Sequence, residues 1–254
     1  MAGRLSGQTI IVTGGGRGFG ENMGKAVARE GANVVVADVA LAEAQRVAEN
    51  INAGGGTAIA LGTDVRKAGR VKDMVKKALD RFGRIDVLVN NAGVSGPSGG
   101  FVSVRTPEWD AVFDVNVKGV FLCSRAVLPH MIKRRSGHIV NISSTTARIG
   151  FTHIRSLPYT TTKYAVEGLS YCLSLEMAKF GIRVNAICPG LAVTNFQAKT
   201  PREYLKGQRC WNPDHTVGPL LYVLTEMEGT GKSVESPAWH EERGTLEEFT
   251  YIYE

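Results

Sequence analysis

Short β-branched runs alternate along the chain with longer stretches whose apolar residues recur every three or four positions. TIIVT (9–13), NVVVAD (33–38), TAIALG (57–62), IDVLVN (85–90), HIVNIS (138–143) and IRVNAICPG (182–190) read as strands. Helices are predicted between them near 18–30, 41–53, 66–82, 107–135 and 158–180. Nearly continuous apolar strands are the kind buried on both faces. Their strict alternation with helices predicts parallel pairing through right-handed crossovers. The expected fold is α/β: a doubly wound parallel sheet of about seven strands flanked by helices, with ligands at the carboxyl ends of the strands.

Length and composition narrow this further. The 254 residues suit one α/β unit, and 43% hydrophobic with 21% charged residues is the composition of a globular protein. No repeat or linker divides the chain, so residues 1–254 are expected to form a single domain, with a substrate lid at 191–211 and an atypical C-terminal tail at 235–254. No apolar run reaches membrane-spanning length and no targeting pattern precedes the first strand, which points to a cytoplasmic protein without a membrane partner. The net charge of +6 is spread out. Its densest run, KRR at 133–135, reads as a solvated helix end rather than a nucleic-acid surface. Cys123, Cys172, Cys188 and Cys210 form neither a CxxC pair nor a metal cluster with the five histidines; they read as reduced, buried thiols, and no metal is expected.

The first candidate chemistry is TGGGRGFG, Thr13 to Gly20, between a strand and a helix. It lacks the strict GxGxxG spacing. Gly14 suits a tight turn, and Gly18 and Gly20 suit close approach of backbone to a pyrophosphate at the helix N-terminus, where free N–H groups and the helix dipole favour anions. Arg17 and Phe19 lie in the same loop. Asp38 ends the second strand, 24 residues beyond Gly14. A carboxylate there accepts ribose hydroxyls and repels a 2′-phosphate by on the order of a few kcal/mol, which favours NAD over NADP. Arg17 argues the other way, because a guanidinium pairs with that phosphate. The composite is a Rossmann-type nucleotide site.

The second is YTTTK, with Tyr159 and Lys163 one helical turn apart on one helix face. A free phenol titrates near 10, so general-base work at neutral pH needs about three units of depression, roughly 4 kcal/mol. One cation about 4 Å away at an effective dielectric of about 20 supplies about that much. A plain surface pair is the alternative.

These motifs, with NNAG (90–93), NVKG (116–119), NISS (141–144) and CPG (188–190) followed by Thr194, resemble the short-chain dehydrogenase/reductase family, over about residues 5–195. The resemblance implies hydride transfer between a nicotinamide cofactor, NAD rather than NADP, and a secondary alcohol or ketone. It implies a catalytic set of Asn116, Ser144, Tyr159 and Lys163: the tyrosine as acid/base, the serine on the substrate oxygen, the lysine on the nicotinamide ribose, and the asparagine holding a water. Further implied cofactor contacts are Asp64 and Val65 at the adenine, Asn90, Ala92 and Gly93 after the fourth strand, and Pro189, Gly190, Val193 and Thr194 at the nicotinamide. A small alcohol or carbonyl substrate and a homo-oligomer, tetramer before dimer, are also implied. A nucleotide-sensing protein without catalysis is the competing class.

The chain departs from the family in two places. Ser144 precedes Tyr159 by 15 residues, about two more than usual in the family, which leaves Thr145 or Thr146 as possible partners in its role. The usual closing glycine pair is also missing, and ESPAWHEERGTLEEFTYIYE is unlike the ordinary ending; a tail packed on a neighbour or over the site, or a frayed end, are its readings. Phe151, Phe196, Tyr204 and Trp211 are candidates for an apolar lid, and Arg148, His153 and Arg155 for reading a carboxylate or other polar group.

Overall fold

A computed structural model describes residues 3–97, 101–149, 157–194, 196, 203 and 205–253. The elements in chain order are β1 (Thr9–Thr13), α1 (Gly18–Arg29), β2 (Asn33–Asp38), α2 (Leu41–Ala53), β3 (Thr57–Gly62), α3 (Ala68–Phe82) and β4 (Val87–Asn90). Then follow α4 (Thr106–Phe113), α5 (Gly119–Arg134), β5 (Gly137–Ile142), α6 (Thr146–Ile149), α7 (Leu157–Met177) and β6 (Ile182–Cys188). The remainder comprises β7 (Arg209–Trp211), α8 (Val217–Thr225), β8 (Ser233–Glu235), α9 (Ser236–Glu242) and β9 (Thr250–Ile252).

Seven parallel strands form one sheet in the order β3-β2-β1-β4-β5-β6-β8. Strand side chains alternate between two cores, as a period of two requires. Ile10, Val12, Val34, Val36, Val87 and Val89 pack with Met23, Val27, Val47 and Leu220 from α1, α2 and α8. Ile11, Val35, Leu88, Ile139 and Val184 pack on the other face with Met74, Leu122, Val127 and Met177 from α3, α5 and α7. The order reverses between β1 and β4, so their carboxyl ends open a crevice at the switch point.

The long helix expected at 107–135 is present but is not regular α-helix throughout. Residues 114–118 form a π turn between α4 and α5, and Asn116 lies inside it. Of the four thiols expected to be buried, Cys123, Cys188 and Cys210 are, but Cys172 is exposed on α7. The final segment folds back on its own chain. β9 pairs antiparallel with β7, with Cys210 opposite Tyr251, and Trp211 bridges in parallel to Ala192.

Candidate functional site

One cavity of about 1210 Å³ runs along the carboxyl ends of the strands. The glycine loop contributes Gly14, Arg17, Gly18 and Phe19 to its wall, and β2 and the turn after β3 contribute Asp38, Asp64 and Val65. Ala92, Gly93, Ser144, Tyr159, Lys163, Pro189, Gly190 and Thr194 line the rest. Gly20, Asn90, Asn116 and Val193 are not on the wall.

The loop conformation explains its glycines. Gly14 and Gly18 have φ of +62° and +55°, where a side chain is strained. A Cβ on Gly20 would stand 2.1 Å from the Gly14 carbonyl oxygen, so this glycine lets the loop pack on the start of α1 rather than meet a ligand. Gly18 is the open one, with nothing nearer its Cβ position than Thr194 at 3.8 Å. Asp38 is buried and accepts the N–H groups of Gly16 and Ala40, each at 3.0 Å, which fixes its carboxylate at the tip of β2. The next residue, Val39, is 69% exposed and carries no charge. Asp64 is gripped by the Arg66 fork at 2.8 to 3.2 Å, a partner that sequence reasoning missed, and that hydrogen-bonded guanidinium lowers the carboxyl pKa.

At the other end, Ser144 and the Tyr159 phenol line the cavity close enough for the serine to act on the phenol, and Thr146 N–H donates to the serine oxygen at 3.2 Å. Thr145 and Thr146 line the cavity too, but the hydroxyl that acts on the Tyr159 phenol is that of Ser144. Lys163 is buried, 5.4 Å from the Tyr159 ring centroid, and donates to the Ile142 carbonyl at 2.7 Å. Burial pushes the Tyr159 phenol up to about 12, against the lowering effect of the Ser144 hydrogen bond. Burial likewise brings Lys163 down to about 8, with Cys188 and Glu167 opposing.

This corrects the sign of the simplest electrostatic expectation. Burial, and not the neighbouring ammonium, dominates the phenol in the chain alone. In the chain alone Tyr159 holds its proton, the state of an acid.

Asn116 sits behind this group. Its amide donates to Val94 O and Thr162 Oγ1, each at 3.0 Å, and its oxygen accepts Val94 N–H at 2.8 Å. The middle of YTTTK thus has a partner that the sequence did not reveal, although Thr162 stands one residue before Lys163. Gly93 separates the two groups: a Cβ there would lie 3.4 Å from Asn116 Oδ1 and 3.9 Å from Lys163 Nζ. Asn90 belongs to the sheet interior, bonded to Asn141 and Ser124.

Of the lid candidates, Phe196 meets the Tyr159 ring edge to face at 5.4 Å, and Trp211 and Pro237 line the same cavity. Arg148 is engaged within the chain: its guanidinium faces Glu167 at 3.1 Å and Glu235 at 3.5 Å. Glu167 also accepts from Cys188 and Ser233, and burial followed by that carboxylate pushes the Cys188 thiol up to about 11, leaving it protonated. Phe151, His153, Arg155 and Tyr204 lie outside the described residues. Among the described residues no cluster of metal-ligating side chains occurs and no helix is long and apolar enough to cross a membrane.

The comparisons agree with this geometry. The chain is 39% identical over 225 residues to oxidoreductase UcpA of Escherichia coli strain K12, covering 89% of this chain and 80% of that one. It is 36% identical over 228 residues to a 3-oxoacyl-[acyl-carrier-protein] reductase of Synechocystis, covering 87% and 91%. The crystal structure of a Brucella melitensis 3-ketoacyl-(acyl-carrier-protein) reductase complexed with NADH superposes with a TM-score of 0.83 at 32% identity, over 91% of this chain and 97% of that one. The short chain dehydrogenase family model matches residues 8–205, and the protein belongs to that family.

Proposed function

We propose that the protein transfers hydride between NAD(H) and a secondary alcohol/ketone pair, with Tyr159 as the general acid/base. The observation that carries this is the single cavity joining an open glycine loop and a fixed carboxylate to the Ser144–Tyr159–Lys163 group. A dinucleotide suits that shape: Gly14 and Gly18 offer side-chain-free backbone for the phosphates, Asp38 the adenosine ribose, Asp64 and Val65 the adenine, and Pro189, Gly190 and Thr194 the nicotinamide end.

When bound, the nicotinamide supplies the hydride or takes it up, and in its oxidised form brings a positive ring. In ketone reduction Tyr159, protonated in the chain alone, donates to the carbonyl oxygen as charge develops there; Ser144 donates a second hydrogen bond to that oxygen. Lys163 holds the ribose and supplies the nearby positive charge, and Asn116 holds a water behind it. Alcohol oxidation runs the same steps backwards. Phe196, Trp211 and Pro237 favour a substrate with an apolar body, since Arg148 is already occupied by carboxylates.

NAD is favoured over NADP by Asp38 and by uncharged Val39 beside it. The NADPH reading rests on Arg17, exposed on the cavity wall with no ion pair among the described residues. A homo-oligomer is supported by the apolar stripe of Tyr164, Tyr171 and Leu175 along α7, each about half exposed, which a second copy would cover. A cytoplasmic protein remains our reading. The direct experiment is a panel of ketones and secondary alcohols followed at the reduced-nicotinamide absorbance with either cofactor. Turnover with NADH exceeding that with NADPH is expected; nucleotide binding without turnover on any substrate would favour a sensing role instead.

A further inference from the structure

One cluster of buried titratable rings takes no part in the reaction proposed above. His215 and His240 are both buried, and they join four segments that are distant in sequence. His215 lies in the 3-10 turn Pro213–Thr216, with its Nε2 3.1 Å from Gly190 N and its Nδ1 2.7 Å from the Asn212 carbonyl. A backbone N–H can only donate and a carbonyl can only accept. The ring proton therefore sits on Nδ1, and the Nε2 lone pair receives Gly190. Burial keeps this ring neutral, bringing its pKa down to about 4.

The carbonyl of His215 in turn lies 2.8 Å from His240 Nε2, which must donate to it. His240 Nδ1 is then free to accept the Thr245 hydroxyl at 2.8 Å; that hydroxyl's other contact, to the His240 carbonyl, is longer at 3.4 Å. One tautomer of each ring thus satisfies the whole series Thr245, His240, His215, Gly190. Packing follows the same line. Phe19 of the glycine loop meets the His215 ring edge-on at 5.4 Å, Trp211 lies 5.1 Å from His215, and Phe249 lies 4.5 Å from His240. Gly190 itself is wedged: a Cβ there would stand 2.6 Å from the Trp211 indole and 3.1 Å from Pro237.

We propose that the C-terminal segment, acting through Thr245, His240 and His215, sets the position of the Gly190 loop and thereby how tightly the nicotinamide end of the cofactor is held. His215 and His240 are positioning residues, since neither touches a reacting atom. The proposal rests on the NAD(H) reading of the cavity.

The test is an NADH fluorescence titration of the full chain and three variants, with steady-state kinetics and melting temperatures alongside. His215→Leu keeps bulk but strands the Gly190 N–H, and NADH binding should weaken about tenfold, with the KM for NADH rising more than kcat falls. His215→Gln offers an amide oxygen to the same N–H and should restore affinity to within about threefold of the parent. His240→Phe keeps the ring packing but loses both polar contacts, and should loosen NADH by about threefold. Parent-like binding by His215→Leu, or a Gln variant as weak as the Leu variant, would overturn the relay in favour of simple packing. Should His215→Leu fail to fold, His240→Phe decides: weakened binding supports the relay and unchanged binding overturns it. A parent chain that binds neither NADH nor NADPH would overturn the cofactor reading and the relay together, whereas normal binding in every variant would overturn the relay alone.

Discussion

Strands β1 to β5 and the segment 236–253 both border the same cavity, but different interactions hold them. The strands are apolar on both faces and lie between two continuous cores, so hydrophobic burial dominates. The C-terminal segment adds one three-residue strand, β9, and is tied to the rest by individual polar links: Asn212 N–H to Phe249 O at 2.7 Å, Gly207 N–H to Tyr253 O at 2.9 Å, and His240 Nε2 to His215 O at 2.8 Å. The first kind of order tolerates local change until its core is emptied. The second depends on each donor finding its acceptor. The cavity wall therefore combines a rigid cofactor side with a side that single polar substitutions can move.

Acidification tests both regions at once. His138 in β5 is buried against the Asn185 amide at 3.0 Å with its pKa pushed down to about 3, chiefly by burial; His215 is its counterpart beside the C-terminal segment. The unfolded chain takes up these protons near pH 6.5, before the folded chain can. The resulting stability is complete above that pH and declines as the pH falls towards the folded values. Going from pH 7 to pH 5 should remove about 2 kcal/mol for each ring, about 4 in all, in denaturant melts. His138→Gln and His215→Gln should each flatten about half of that slope; an unchanged slope in either would remove that ring from the account. Leu88→Ala, in the middle of β4, should cost about 3 kcal/mol by the same melts with little recovery by repacking.

Smaller effects separate ligand-facing groups from the rest. Asp38→Ala should narrow the NADH over NADPH preference by roughly 2 kcal/mol in paired titrations, and a preference left intact would assign selectivity elsewhere. Ending the chain after Gly244 removes β9 and Thr245. It should cost only about 1 kcal/mol of stability, because short exposed pairings contribute little beyond their hydrogen bonds. A loss as large as that of Leu88→Ala would show that the two regions do not differ as described.

The same difference decides what the sequence could reveal. β1, β2 and β3 fall at their predicted limits because short β-branched apolar runs and flanking glycines are local signals. The places of Gly14, Asp38, Tyr159 and Lys163 on the cavity wall were legible because each stands at a fixed spacing from an element boundary. The π turn around Asn116, the Thr162 contact and the His215 junction were not. Each depends on a partner tens of residues away or on a local backbone irregularity, and hydrophobic period carries neither. Even the Tyr159–Lys163 pair was only half legible: its spacing could be read from the chain, but the burial that raises the phenol could not.

The central claim is proton transfer by Tyr159 beside a bound nicotinamide. Its most direct test compares Tyr159→Phe with the parent, measuring NADH affinity by fluorescence and single-turnover ketone reduction on the same samples. NADH affinity within about twofold and a rate lower by about 10³ are the predicted pair of results. A variant that reduces the ketone at the parent rate would contradict the account.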